Sequence, residues 1–428
     1  MLDINLIRKN PEIVRKDLEK RGAIDKIKLL DEVIELDQEW RSEIKKLNKL
    51  REEKNKLVAE IAKLKKEKKD ISQLLLTSQQ LSKEIENLEK KEETKRKRIR
   101  EILMTLPNIL HESVPIGKNE NDNVVVKSWG SIRKFNFKPK DHQDLAIPLD
   151  LIDIERAAKV AGSRFYYLKG ALVELNWALI RYGLDFLKAR GFKLFQPPYM
   201  LRREALEGAI SFTDFEDMIY KIEGEDLYLI GTAEHPLLAY HMNEILDAKE
   251  LPLAYAGISP CFRKEAGTHG KDTKGIFRVH QFEKVEQFVF CRPEESWEWH
   301  EKLLKNAEEF FQSLEIPYRV VNICSGDIGS IAAKKYDIEA WLPGQGKYRE
   351  VVSCSNCTDY QARRANIRFR DGNEIKFVHT LNSTLVATER TIIAIIENYQ
   401  QEDGSIVIPK VLRKYLDNAE RITKKGLE

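Results

Sequence analysis

From about residue 27 to residue 106 the chain contains neither glycine nor proline, and its apolar residues return at intervals of seven. Val33, Trp40, Leu47 and Ile61 share one register, broken by Lys54; Leu36, Leu50, Leu57 and Leu64 share another, broken by Glu43. A later run repeats the pattern, with Leu74, Leu81, Leu88 and Ile102 in one register and Ile71, Ile85, Ile99 and Leu106 in the other. Heptad spacing with charge between the apolar positions predicts helices joined along an apolar seam. The run Lys65-Lys66-Glu67-Lys68-Lys69-Asp70 interrupts that seam with charge and predicts a turn. The expected element is an antiparallel helical hairpin of two roughly 35- to 40-residue helices, an arm about 50 to 60 Å long at about 1.5 Å per residue.

Pro107 ends the second helix, and the following stretch, with Pro115, Gly117, Asn119, Asn121 and Asn123, reads as a linker. Beyond it the texture changes. Helical patterns at about 172–190 and 295–314 alternate with short strand-like runs such as Tyr228-Leu229-Ile230, Phe288-Val289-Phe290 and Tyr318 to Asn322. The expected organisation is an N-terminal domain over residues 1–108, with its arm at about 27–106, a linker over 109–130 and a mixed α/β domain over 131–428. The expected fold class is α+β.

Charge sharpens this division. The whole chain of 428 residues carries a formal net charge of only +3, but residues 41–105 alone carry 20 basic and 12 acidic side chains, leaving the remainder acidic by five. A basic arm on a mildly acidic body points to a polyanionic partner for the arm. On the heptads alone an oligomerising coiled coil or a solvated spacer is the plainer reading, a lever laying Lys and Arg along a nucleic-acid backbone is the functional one, and the arm's sequence leaves both open. The 5 cysteines are too few for a disulfide framework and suit a reducing compartment. Met1-Leu2-Asp3-Ile4-Asn5 is no signal-peptide start, and no window approaches eighteen uninterrupted apolar residues, so a cytoplasmic protein without a membrane segment is expected.

The stretch from Ala256 to Phe290 carries the most chemistry. Cys261-Phe262-Arg263-Lys264-Glu265 precedes a glycine-rich basic loop, Ala266 to Gly275, and Arg278-Val279-His280-Gln281-Phe282-Glu283-Lys284-Val285-Glu286 follows it. Read as strands, a period of two sets Arg278, His280, Phe282, Lys284 and Glu286 on one face and Arg263 beside Glu265. A ring between cationic and anionic groups is poor core material and suits a planar, polyanionic ligand such as a nucleotide. A surface hairpin with self-paired charges is the competing reading of any single Arg-x-Glu.

These two segments resemble the second signature motif of the seryl-tRNA synthetase family, a class II aminoacyl-tRNA synthetase family. Other pieces agree in order. Gly191-Phe192 through Gln196-Pro197-Pro198-Tyr199-Met200 resembles its first motif, at the dimer interface. Gly231-Thr232-Ala233-Glu234 resembles its serine loop, Arg349 to Cys357 its metal-binding strand, and Leu381-Asn382-Ser383-Thr384 through Arg390 its third motif. The resemblance spans essentially the whole chain. It implies a catalytic domain built on an antiparallel sheet flanked by helices, a homodimer, and an arm that binds tRNA(Ser) and, where present, tRNA(Sec).

The implied reaction is ATP-dependent formation of seryl-adenylate, then transfer of the seryl group to tRNA. Carried over from the family, Arg263 bridges the serine carboxylate and the α-phosphate, and Arg390 holds the γ-phosphate; these are the catalytic residues. Serine would lie among Thr232, Ala233, Glu234, Arg263, Glu286 and Thr384. ATP would lie against Arg263, Lys264, Glu265, Val279, Phe282, Glu350, Val351, Val352, Ser353 and Arg390, with Glu265 on the adenine amino group and Phe282 stacked on the base. Glu350 and Ser353 would offer oxygen ligands to Mg²⁺. Their spacing of three puts them on opposite faces of a regular strand, so a bulge or strand end is required near Val352. Thr384 stands where bacterial members usually carry serine. Cys354-Ser355-Asn356-Cys357 is half a zinc site at most, and no zinc is expected. Two further readings, an activating enzyme that loads a carrier protein and a non-catalytic scaffold, fit less well: paralogues of the first kind lack the arm, and the second should have lost motif residues.

Overall fold

The glycine-free stretch forms two long helices in the computed structural model, which describes residues 1–212, 216–265 and 274–428. The chain divides into two units, Met1–Pro107 and Asn108–Glu428. In the first, short helices α1 (Ile4–Lys9) and α2 (Pro11–Lys20) precede α3 (Ile27–Lys66) and α4 (Ser72–Thr105). The 40 residues of α3 make it about 60 Å long at about 1.5 Å per residue. Asp70 accepts from the Ser72 backbone N–H at 2.9 Å, where the second helix begins.

The two helices run antiparallel. Cross-pairs have nearly constant index sums: Arg98 with Glu32, Lys95 with Glu43, Trp40 with Glu92 and Lys46 with Glu84. Leu47, Leu50, Ile85 and Leu88 form the apolar seam. Asp37, a buried carboxylate of α3, is held by Arg8 at 2.6 Å and Arg41 at 2.9 Å, which satisfies a charge that burial would otherwise penalise.

The second unit is built on an eight-stranded sheet. Its strands are β1 (Val124–Trp129), β2 (Lys193–Phe195), β3 (Leu253–Phe262), β4 (Gln281–Cys291), β5 (Tyr318–Asn322), β6 (Lys334–Leu342), β7 (Lys347–Asn356) and β8 (His379–Ala387). In space they run β1-β5-β6-β7-β8-β4-β3-β2. Every neighbouring pair is antiparallel except the short parallel edge pair β2 and β3. Helices α5 (Ala171–Lys188), α8 (Ser296–Ser313) and α10 (Thr388–Tyr399) supply much of the main core with the sheet. Shorter helices α6 (Arg203–Ala209), α7 (Glu234–Ala239) and α9 (Tyr360–Ala365) build a second apolar cluster with Phe288 and Phe290 of β4. An arm of helices and an antiparallel sheet with flanking helices is the expected α+β architecture.

The linker expected over 109–130 is corrected by the structure. Val124–Trp129 is the edge strand of the main sheet, paired to β5, and Asn108 is buried, with its side-chain amide donating to the carbonyls of Ile331 and Cys357 at 2.9 Å. Turn-forming residues at 115–123 concealed a strand that opens with three valines, whose side chains are exposed and so left no buried, alternating pattern to read.

Candidate active site

Period-two alternation places Phe282, Lys284 and Glu286 of β4 along one wall of a cavity of about 340 Å³. Two bulges bring further side chains to it. In β7, Val352 lies opposite Ile338 but Glu350 lies opposite Glu339, so Val351 is an extra residue. In β8, Thr384 lies opposite Glu286 while Val386 lies opposite Val285, so Leu385 is extra. Each bulge resets the alternation by one position. Glu350 and Ser353, and likewise Thr384 and Ala387, therefore line the same cavity despite a spacing of three. Thr232 and Glu234 enter from the start of α7, Arg263 from the chain just after β3, and Arg390 from the first turn of α10.

The cavity is strongly polarised. Lys284 Nζ lies 2.6 Å from Glu286 Oε2, both nearly buried, and the Thr384 hydroxyl donates to the same oxygen at 3.4 Å. Arg263 donates through Nε to the Gly231 carbonyl at 3.3 Å, and its guanidinium lies 5.2 Å from the Phe282 ring centre. Arg390 reaches the Glu350 carbonyl at 3.0 Å and its carboxylate at 3.3 Å, and lies 4.8 Å from the Phe277 ring. Burial would raise the Glu350 carboxyl, but Arg390, Lys335 and Arg263 outweigh it and hold the group below its ordinary range. Glu234 moves the other way: burial and the neighbouring Glu286 push it up to about 7, against the pull of Gln361, Lys284 and Arg263. His235, buried beside Lys284 and Arg263, is pushed down to about 3 and is neutral.

Not every expected residue reaches the cavity. Ala233 is buried against Gly257, where a Cβ would stand 2.7 Å from the alanine Cβ. Val352 turns into the core, and the Val279 side chain is buried there as well. Lys264 lies over the Tyr220 ring at 5.7 Å. The expected strand faces are also corrected: β3 ends at Phe262 and β4 begins at Gln281, so Arg263, Glu265, Arg278 and His280 lie outside the strands. Glu265 has a φ of 51°, which breaks an extended alternation. Irregular backbone brings Arg278 and Glu265 together instead, at 2.8 Å. The basic loop at 266–273, with His269, lies outside the described residues.

Cys354 and Cys357 are free thiols, and burial raises both well above the ordinary range. Cys357 lines the cavity and receives a contact from the Asn382 amide at 3.7 Å. Sequence reasoning gave no role to Lys284, although its position two residues before Glu286 on a strand was a usable signal. It also missed Gln361, which donates to Glu234 at 2.7 Å across 127 positions of sequence and left no local signal.

Comparisons with known proteins agree with this geometry. A family described as the seryl-tRNA synthetase N-terminal domain matches residues 1–110, and the tRNA synthetase class II core domain (G, H, P, S and T) matches residues 217–399. The chain is 60% identical to a serine–tRNA ligase of Pyrococcus horikoshii, over 97% of this chain and 96% of the relative. It is similar to the crystal structure of seryl-tRNA synthetase from the same organism complexed with ATP, with a TM-score of 0.94, 58% identity and 99% of each chain covered. It is also similar to a cytoplasmic serine–tRNA ligase from Naegleria fowleri in complex with AMP, with a TM-score of 0.88, 42% identity and 99% of each chain covered. Near-complete coverage at this identity places the chain in the seryl-tRNA synthetase family of class II aminoacyl-tRNA synthetases.

Proposed function

We propose that the protein activates L-serine with ATP and transfers the seryl group to the 3′ end of tRNA(Ser). In the first step a serine carboxylate oxygen bonds to the α-phosphorus as the bond to pyrophosphate breaks. In the second a terminal ribose hydroxyl attacks the seryl carbonyl and AMP leaves. A carboxylate is already ionised at neutral pH, so the first step needs no general base. Catalysis then rests on positioning and on cationic groups placed where phosphate charge develops.

The observation that carries this reading is the convergence of Arg263, Glu286, Thr384, Glu350 and Arg390 on one cavity from four separate segments. The forked donors of Arg263 suit a bridge between the serine carboxylate and the α-phosphate, and Arg390 suits the γ-phosphate. Phe282 offers a ring for adenine, and Glu265 with the main chain at Val279 lies outside the cavity wall on the same motif. Glu286 and Glu234 suit the serine ammonium and hydroxyl together with Thr232 and Thr384. A pocket that hydrogen-bonds a hydroxyl rejects alanine because its own polar groups would be left unpaired.

Glu350 and Ser353 supply oxygen donors on one wall, and among the described residues no cluster of three or more His, Cys, Asp or Glu side chains is arranged to hold a metal. Two protein oxygens fit Mg²⁺, a hard cation that keeps water and takes its remaining ligands from phosphates. When bound it would neutralise phosphate charge beside Arg390. The basic arm suits the tRNA backbone, since phosphate neutralisation needs a stripe of positive charge. The same arm would serve tRNA(Sec) where that tRNA exists. Exposed apolar side chains at Trp177, Leu194, Met200 and Tyr240, around the first motif, support a homodimer. No helix among the described residues is long and apolar enough to cross a membrane, and a cytoplasmic location is part of the proposal.

Exchange of pyrophosphate into ATP tests the reading. It should depend on serine and fail with alanine, threonine and glycine. Deleting residues 30 to 100 should abolish tRNA charging and leave exchange intact; equal loss of both in a folded deletion would overturn the division of labour.

A further inference from the structure

Gln361 of α9 is fully buried, and its amide faces three partners. Nε2 donates to Glu234 Oε1 at 2.7 Å and to the Ala209 carbonyl at 3.2 Å, while Oε1 accepts from the Thr380 hydroxyl at 2.7 Å. The orientation is fixed by chemistry. Turned over, the amide would set its oxygen against a carbonyl and a carboxylate, both of which only accept. Thr380 belongs to β8 and is fully buried as well, so water does not compete for its hydroxyl.

We propose that Thr380 and Gln361 act as a positioning relay for the amino-acid pocket: the threonine hydroxyl locks the glutamine amide, and the amide holds Glu234 in the orientation and charge state that receive the substrate's donors. This rests on the reading of Glu234 as part of a serine site. Each link uses a buried group whose alternatives are unsatisfied donors or acceptors, so the relay is rigid. One oxygen of Glu234 is thereby committed to the protein, and the carboxylate keeps a fixed tilt at the cavity wall. Burial and Glu286 oppose the Glu234 charge, Lys284 and Arg263 favour it, and the adjacent His235 is neutral. The Gln361 donor adds to the favourable side without adding a charge that would attract the serine carboxylate.

The test is serine-dependent exchange by the full chain, with KM measured separately for serine and ATP across a pH series. Thr380→Val keeps the shape and removes the hydroxyl. It should raise KM for serine on the order of tenfold, because an amide no longer locked by the hydroxyl loses its hold on the hydrogen bond to charged Glu234. KM for ATP should stay within about twofold, and the acid limb of kcat/KM for serine should move to higher pH. Thr380→Ser restores the hydroxyl and should stay within about twofold of the parent in all three measures. Gln361→Met should behave as Thr380→Val and carries the test if the valine variant does not fold. An unchanged KM for serine in the folded Thr380→Val or Gln361→Met chain overturns the relay. So does a rise in both KM values that Thr380→Ser fails to rescue. A parent chain with no serine-dependent exchange overturns the underlying reading and the relay with it, which separates the two failures.

Discussion

Replacing Glu397 by glutamine should destabilise the second unit, because three donors converge on its carboxylate. The His142 backbone N–H and ring Nδ1 both lie 3.2 Å from Oε1, and the Gly344 N–H donates to Oε2 at 2.9 Å. The tautomer follows from the other side of the ring: Nε2 accepts from the Ile276 N–H at 3.2 Å, so the proton sits on Nδ1 and points at Glu397. A carboxylate accepts at both oxygens, whereas an amide accepts at one and donates at the other. In either orientation glutamine opposes a donor with a donor, at a site where Glu397 is fully buried. The cost is about 2 kcal/mol for a buried group left unsatisfied. At about 2.1 cal/mol/K of unfolding entropy per residue, that lowers the midpoint of a unit this size by roughly 3 °C. The effect should also reach the active site. Gly275, at φ 73°, sits so close that a Cβ would collide with the His142 ring, and Phe277 two residues on lies beneath Arg390. Calorimetry of the parent and Glu397→Gln, with KM for ATP, checks both parts. A variant with the parent's midpoint and the parent's KM for ATP would refute the argument.

Arg390→Lys should lower exchange by roughly a hundredfold, since a point charge cannot meet the Glu350 carbonyl and carboxylate and a phosphate together as a planar fork does; steady-state exchange measures it. Lys284→Met should cost about 3 kcal/mol by leaving Glu286 buried without its cation, read as a shift in denaturation midpoint that added serine partly restores. Glu234, raised to about 7 when folded, binds a proton that the unfolded chain has already released. Its contribution to stability is therefore most favourable below its ordinary range near 4.5 and is lost as pH rises from there towards 7. Glu234→Gln should remove that slope in a pH series of unfolding measurements, and an unchanged slope would reject the assignment. Binding of tRNA should weaken steeply with salt if the arm grips phosphates, and a flat salt series would reject that role.

The arm was legible in the sequence because a helix carries its own periodicity: seven-residue spacing and the absence of glycine and proline over 27–106 specify two helices and their seam without reference to anything distant. The motif residues were legible for a different reason, their order along the chain. Strand boundaries around the second motif were not, since Arg263 and Arg278 match a strand pattern locally but lie where backbone pairing between β3 and β4 has ended. The strand at 124–129 was hidden behind turn-forming residues and exists because β5 offers it an edge.

The sequence by itself determined the helical arm, the charge asymmetry and the set of side chains available for nucleotide chemistry. Only the tertiary structure decided which of them face one another. The bulges at Val351 and Leu385 are defined by registry with a partner strand, and without them Glu350 and Ser353 would point to opposite faces. The Lys284–Glu286 pair and the contacts linking Thr380, Gln361 and Glu234 likewise depend on burial and on chain segments far apart in sequence. Local pattern encodes the periodicity of an element, whereas the charge state and orientation of a buried group are set by whatever the fold packs around it.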